Sequence, residues 1–496
     1  MSEIKNNEKN IDNPPVKEEI KKPEDHKKQE DMGNNLDQMR STGGTSLESK
    51  TAQSRITETP KQKEIKEDKT KTADVQDKKT VIGSKLENLS STGTMKESEK
   101  DRLEKTEGVK EITKPYYDDA RELAKKSEMG ANFTDHTEDH VEQVAEKSIE
   151  AANALEKAIQ KGEFTVENNS DDHIPFVGNI DKSVLEGAAL SHDTGMRGDG
   201  YAVEMYEDEN GIKRFAKDAD GNFIVSKEDN GDFNQVRENH SLNSAINILA
   251  DREKYKELGY TDEQVDMMAA ECMAHSKSSS GVHNLNSKKD WKECFSCIDA
   301  VVQRYRDDHP GSNIDFHREY FENDDKKMGQ LATSTQALRV GDVSRNSGPD
   351  AKSQSGDEVH VNRKTLNDGA GTPAGEVENA DIKRGDEDIS NEKSRKIHAG
   401  EQNITDNHTY CKEDGTLCHK ITVNDGTSVP ECTIDAITDH VKEFASGQGG
   451  NFRIEVEFDK PCSSETRQNY EYYQNRVAAT YKNVEIVLPW DNKEDS

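Results

Sequence analysis

The stretch Val184-Leu-Glu-Gly-Ala-Ala-Leu-Ser191-His192-Asp193-Thr194-Gly195 decides the reading, because an apolar helical run ends there in adjacent His and Asp side chains followed by glycine. Two ligands side by side at a helix end can bind one metal ion, and the glycine permits a sharp turn. The ordered company of the pair gives it weight. Upstream, His140 opens a His-Val-Glu-Gln-Val run. There Val141, Val144, Ala145, Ala152, Leu155 and Ile159 recur at helical spacing, and Asp135 with Glu138 resembles a capping box. The pattern predicts an amphipathic helix over residues 135–160.

Downstream, His240 precedes Ser-Leu-Asn-Ser-Ala on one predicted helix, and His275 ends another whose start is marked by Thr261-x-x-Gln264. Asp342 stands in Leu338-Arg-Val-Gly-Asp-Val-Ser-Arg345, an apolar helix where a carboxylate is costly unless paired or metal-bound. Helical patterns also cover residues 184–191, 240–257, 261–275, 292–306 and 330–343, so the middle of the chain reads as mainly α. The interruption at about residues 201–234 reads as a small β-hairpin insertion. It carries Glu207-Asp-Glu-Asn-Gly and Asp218-Ala-Asp-Gly turn signals between short alternating runs.

Outside this region the composition changes. The chain has 496 residues, 30% hydrophobic and 34% charged, so an ordinary core cannot account for all of it. Every Phe, Trp and Tyr lies at or after Tyr116. Residues 1–112 mix Lys, Glu, Asp, Ser, Thr, Asn and Gln with isolated Ile and Leu, and are expected to form a long disordered tail. Residues 346–394, rich in Gly, Asp, Asn and Lys, read as a loop or linker. A small α/β domain is expected over 395–492, with strands at 419–423, 452–458 and 484–488 and helices at 432–444 and 464–480.

With 68 Lys and Arg against 100 Asp and Glu, the formal charge is −32, which argues against non-specific binding to nucleic acid or an anionic membrane. No run approaches the length of a spanning helix and residues 1–10 lack an apolar leader, so a soluble, cytoplasmic protein is expected. Seven scattered cysteines suit free thiols better than a disulfide framework, and Cys294-x-x-Cys297 fits a helix face better than a zinc ribbon. His136-Thr-Glu-Asp-His140 lacks the Glu that either zinc-protease helix motif requires, and no phosphate-cradling glycine loop for ATP or nicotinamide cofactors is present.

The order His140, His192-Asp193, His240, His275, Asp342, each element on its own predicted helix, resembles the HD-domain superfamily of metal-dependent phosphohydrolases over residues 116–345. The resemblance implies an HD-type helical domain in which His140, His192, Asp193 and Asp342 ligate a first metal. His240 and His275 would serve a second, with the Asp193 carboxylate bridging both ions. It implies one or two divalent transition-metal ions (Fe, Mn or Zn) and hydrolysis of a small phosphorylated substrate, as a phosphatase or phosphodiesterase. Asp193 would orient or deprotonate water, and Lys277 and Arg345 would contact phosphate. The HD-GYP branch has a second histidine and a Gly-Tyr-Pro element where this chain reads His275-Ser-Lys-Ser-Ser-Ser-Gly281, which argues against a cyclic dinucleotide substrate. The alternatives are a catalytically inactive HD-fold regulator that binds a nucleotide, and an interaction protein working through its tail and C-terminal domain. Homo-oligomerisation and a partner for the tail stay open.

Overall fold

Small side chains decide how closely the helices approach, and the computed structural model places them at the crossings that matter. It describes residues 97–126, 138–162, 171–209, 213–229, 232–276, 279–344, 404–423, 437, 441, 452–481 and 483–491. Residues 1–96 of the expected tail, the expected linker, and most of the helix expected at 432–444 lie outside the described residues.

The first helix, α1 (Glu97–Lys126), corrects the expected end of the tail. The composition of residues 97–112 predicts disorder, yet Thr106, Val109, Thr113, Tyr117, Ala120 and Ala124 form one buried helical stripe. Thr and Ala occupy positions where large aliphatics would have announced the helix, and Pro115 sits inside it. Helix α2 (Glu138–Gln160) buries Val141, Val144, Ala145, Ala151, Ala152 and Leu155, the apolar face the spacing predicts. Helix α3 (Lys182–Ser191) starts at Asp181, whose carboxylate accepts from the Ser183 and Val184 amides at 3.1 and 3.4 Å. It runs into a 3-10 turn (Thr194–Arg197) that Gly198 ends with φ 76°.

The insertion consists of β1 (Tyr201–Val203), β2 (Met205–Glu207), β3 (Lys213–Phe215) and β4 (Val225–Lys227), with β1 antiparallel to β4 and β2 antiparallel to β3. Helix α4 (Phe233–Ala250) begins well before the expected His240. Two of its asparagines serve strand β1: Asn243 Oδ1 accepts from Tyr201 N at 2.8 Å and Asn239 Oδ1 accepts from Val203 N at 3.1 Å. These polar residues, which weaken the apolar helical pattern, supply the strand with side-chain hydrogen bonds.

Helices α5 (Arg252–Glu257), α6 (Asp262–His275), α7 (Lys288–Asp308), α8 (Glu319–Glu322) and α9 (Asp325–Val343) complete the helical body. The Thr261/Gln264 capping box forms, with bonds of 3.2 and 2.9 Å. Helix α9 is buried at every residue from Met328 to Gly341 except Gln330 and packs along α2. A Cβ added at Gly341 would meet Ser148 Oγ at 2.1 Å, so glycine sets this crossing.

The C-terminal sheet has the order β5 (Ile404–Cys411), β6 (Leu417–Val423), β7 (Phe452–Phe458), β8 (Val484–Val487). The first pair is antiparallel and the other two are parallel. Helix α10 (Ser464–Thr480) lies against β8. Strand β5, unread in the sequence, lies along α2. Lys147 Nζ donates to Asn407 O, Thr409 N donates to Glu150 Oε1, and Lys161 Nζ donates to Lys412 O at 2.8 Å. Its buried residues join a core continuous with that of the helices. No helix among the described residues is long and apolar enough to cross a membrane. The six described cysteines are free, and Cys294 and Cys297 are fully buried on α7.

Candidate metal centre

Six side chains that stand far apart in sequence converge where the ends of four helices meet the 3-10 turn. His140 comes from the first turn of α2, His192 caps α3, and Asp193 immediately follows it. His240 lies in α4, His275 ends α6, and Asp342 lies in the last turn of α9.

Asp193 is the hub. Its Oδ2 lies 3.1 Å from both His140 Nε2 and His192 Nε2. Its Oδ1 lies 3.4 Å from His240 Nε2 and 3.9 Å from His275 Nε2. Asp342 Oδ1 faces the first pair of histidines at 3.6 and 3.7 Å. The carboxylate of Asp193 therefore addresses two groups of histidine nitrogens, one with each oxygen.

The far side of three imidazoles is committed to the backbone. His192 Nδ1 lies 2.6 Å from Ala189 O and His275 Nδ1 lies 2.6 Å from Cys272 O, while His240 Nδ1 pairs with Arg237 O. A carbonyl can only accept, so in each case Nδ1 carries the proton and Nε2 is the nitrogen that would ligate whenever the ring is neutral. Yet His240 Nε2 and His275 Nε2 stand 3.1 Å apart, and His140 Nε2 and His192 Nε2 stand 3.4 Å apart. Burial lowers the pKa of both His240 and His275, so their Nε2 lone pairs face one another at 3.1 Å, a spacing that two ligands of one cation would have. Two donors each about 2.1 Å from one ion lie about 3.0 Å apart at a right angle and about 3.4 Å apart at the tetrahedral angle. The His140, His192, Asp193 cluster could hold a metal ion, as could Asp193 with His240 and His275. The donor set of imidazole and carboxylate fits a divalent transition metal.

The electrostatics follow from burial and from this crowding. Burial opposes charge on His192, but the Asp193 and Asp342 carboxylates outweigh it and raise its pKa. His275, buried and flanked by His192 and His240, is held down at about 3. His240 is also lowered, chiefly by burial. Burial opposes the Asp342 charge too, but His192, His140 and His275 hold that carboxyl far below its ordinary range. Two carboxylates thus require positive charge that the four imidazoles cannot all supply.

The chain shapes the turn with care. A Cβ on Gly195 would lie 2.0 Å from His240 O, and Gly195 N donates to Ser244 Oγ at 2.8 Å. The glycine therefore serves contact between the turn and α4, whereas Gly198 supplies the left-handed residue. Comparison of the chain with protein-family models, with curated proteins and with solved structures gave no match.

Two of the six are partly open to solvent. The Asp342 side chain is 30% exposed and His240 14%, against 3% or less for the other four residues of the cluster. A cavity of about 300 Å3 lies between the insertion and α4, and none of the six lines it. Lys277 and Arg345, expected to contact phosphate, lie outside the described residues. Arg339 was not singled out, although it is a buried arginine in the stretch quoted for Asp342. Its Nε donates to Ala274 O at 2.9 Å, and a terminal guanidinium nitrogen donates to Ala274 O at 2.6 Å and Val282 O at 2.8 Å. It thereby fastens the peptide before His275. The same context that made Asp342 conspicuous, a charge in an apolar helix, could have found it.

Proposed function

We propose that the protein is an HD-type metal-dependent phosphohydrolase acting on a small phosphorylated substrate such as a nucleotide. The observation that carries this reading is the Asp193 carboxylate, whose two oxygens face two histidine pairs, with Asp342 completing the first group. His140, His192, Asp193 and Asp342 would hold one ion, and Asp193, His240 and His275 a second with room for other ligands. Bound there, a divalent transition metal supplies Lewis acidity toward a phosphoryl oxygen and lowers the pKa of water, which phosphoester hydrolysis needs.

The residues' own share is definite. The carbonyls of Ala189, Arg237 and Cys272 hold the Nδ1 protons and so turn three Nε2 atoms toward the ion as the ligating nitrogens. Asp342 and His240, the two partly exposed members, are the residues past which substrate would enter. The formal charge of −32 favours a small substrate over a nucleic acid.

Elemental analysis of protein purified without chelator tests the reading. One or two metal equivalents are expected, abolished by Asp193→Ala and partly lost in His240→Ala, with release of phosphate or alcohol from a phosphoester panel. A parent without metal after reconstitution with Fe, Mn or Zn sinks the proposal. Metal without hydrolysis moves the protein to the regulatory class.

A further inference from the structure

The C-terminal end of α3 is finished almost entirely by side chains. Gly187 O accepts from Ser191 Oγ at 2.7 Å, Ala188 O from Cys272 Sγ at 3.3 Å, and Ala189 O from His192 Nδ1 at 2.6 Å. Leu190 O accepts from Tyr117 Oη at 2.6 Å and Ser191 O from Thr194 Oγ1 at 2.9 Å. Among these donors Tyr117 alone comes from α1. It is fully buried, and its bond ends on the peptide two residues before His192.

The rest of α1 is arranged to hold that bond in place. Ala120 and Leu123 pack on Met196 of the 3-10 turn, and the Arg197 guanidinium lies 4.7 Å from the Tyr116 ring centre. On its other flank α1 grips the start of α2, with Lys110 Nζ 2.8 Å from Glu142 and both Lys114 and Arg121 on Glu138. One helix therefore touches the element carrying His140 and the turn carrying His192 and Asp193.

Resting on the metal reading above, we propose that Tyr117 is a positioning residue of the centre: its hydroxyl, by fastening Leu190 O, fixes the register of the His192-Asp193 turn against His140. Removing an outer partner that orients a metal ligand costs about 10- to 100-fold in metal affinity, and Tyr117 would act on His192 and Asp193 through their backbone.

The test uses the full chain stripped with chelator and titrated with Co2+, read by visible absorption, alongside thermal unfolding of the metal-free form. Tyr260 gives a matched control, since its hydroxyl donates to Ser183 O at 3.0 Å near the opposite end of the same helix. Tyr117→Phe should weaken Co2+ binding by about 10- to 100-fold and alter the absorption band. Tyr260→Phe should lose comparable metal-free stability and keep the parent's Co2+ affinity. Should Tyr117→Phe fail to fold, Thr194→Val, which removes the neighbouring bond to Ser191 O, carries the same expectation. Equal Co2+ affinity in Tyr117→Phe and parent, or equal losses in both tyrosine variants, overturns the role of Tyr117 alone. A parent that binds no Co2+ overturns the metal reading with it.

Discussion

Glu271 lies fully buried on α6, one turn before His275, with Ser334 of α9 as its polar neighbour, and burial pushes its carboxyl up to about 8. At pH 7 it is protonated in the folded chain and ionised in the unfolded one. The unfolded state therefore binds fewer protons, and the contribution of this group falls as pH rises from its ordinary value toward 8. Glu271→Gln removes that dependence. Thermal unfolding should find the variant close to the parent near pH 5 and more stable at pH 8, by on the order of a few kcal/mol; parallel pH profiles would refute this. Gly195 gives a second residue-scale expectation. Because a Cβ there collides with His240 O, Gly195→Ala should push the turn off α4 and lower metal content before it unfolds the chain, measured by elemental analysis of the folded fraction. The six clustered residues were legible because they follow one another in the order His, His-Asp, His, His, Asp on successive helical segments, and for Asp342 also because a carboxylate stands in an apolar helix. Tyr117 was not, since a tyrosine in a helix carries no sign of whether its hydroxyl meets water or a carbonyl.

Helices rich in buried apolar residues were legible throughout: α2, α3, α6 and α9 begin and end within a few residues of their predicted bounds. The elements that escaped are those whose contacts are small or polar. Helix α1 buries Thr and Ala, the first turns of α4 spend asparagine on a strand, and β5 reads Ile-Thr-Asp-Asn-His-Thr-Tyr-Cys. In β5 the pairing with β6 and the charged residues of α2 replace the hydrophobic alternation that betrays a strand. Asn243 is the element-scale test. It bonds both the amide and carbonyl of Tyr201 and donates to Glu228 at 2.7 Å. Asn243→Ala leaves these buried groups unpaired, at a cost of about 1–3 kcal/mol each. Limited proteolysis should then cut within the insertion while α2, α6 and α9 stay protected; an unchanged digestion pattern would count against the tether.

For the whole molecule, a formal charge of −32 makes the metal-free state repel itself, and an ion at the Asp193 and Asp342 carboxylates would relieve part of that charge. Chelation should lower the unfolding midpoint. Reloading should restore it by an amount that grows with free metal concentration, since an ion bound only to the native state stabilises by mass action. An unfolding curve indifferent to chelator would mean that the six residues hold together without an ion. The packing of α9 on α2 through Gly341 and Ser148 has a consequence in time as well as in space. His140 and Asp342 close the longest loop of the cluster, so the centre completes itself only after the last helix of the body has docked on one of the first. Uptake of metal during refolding would accordingly report the final step of assembly, lagging behind the appearance of helix.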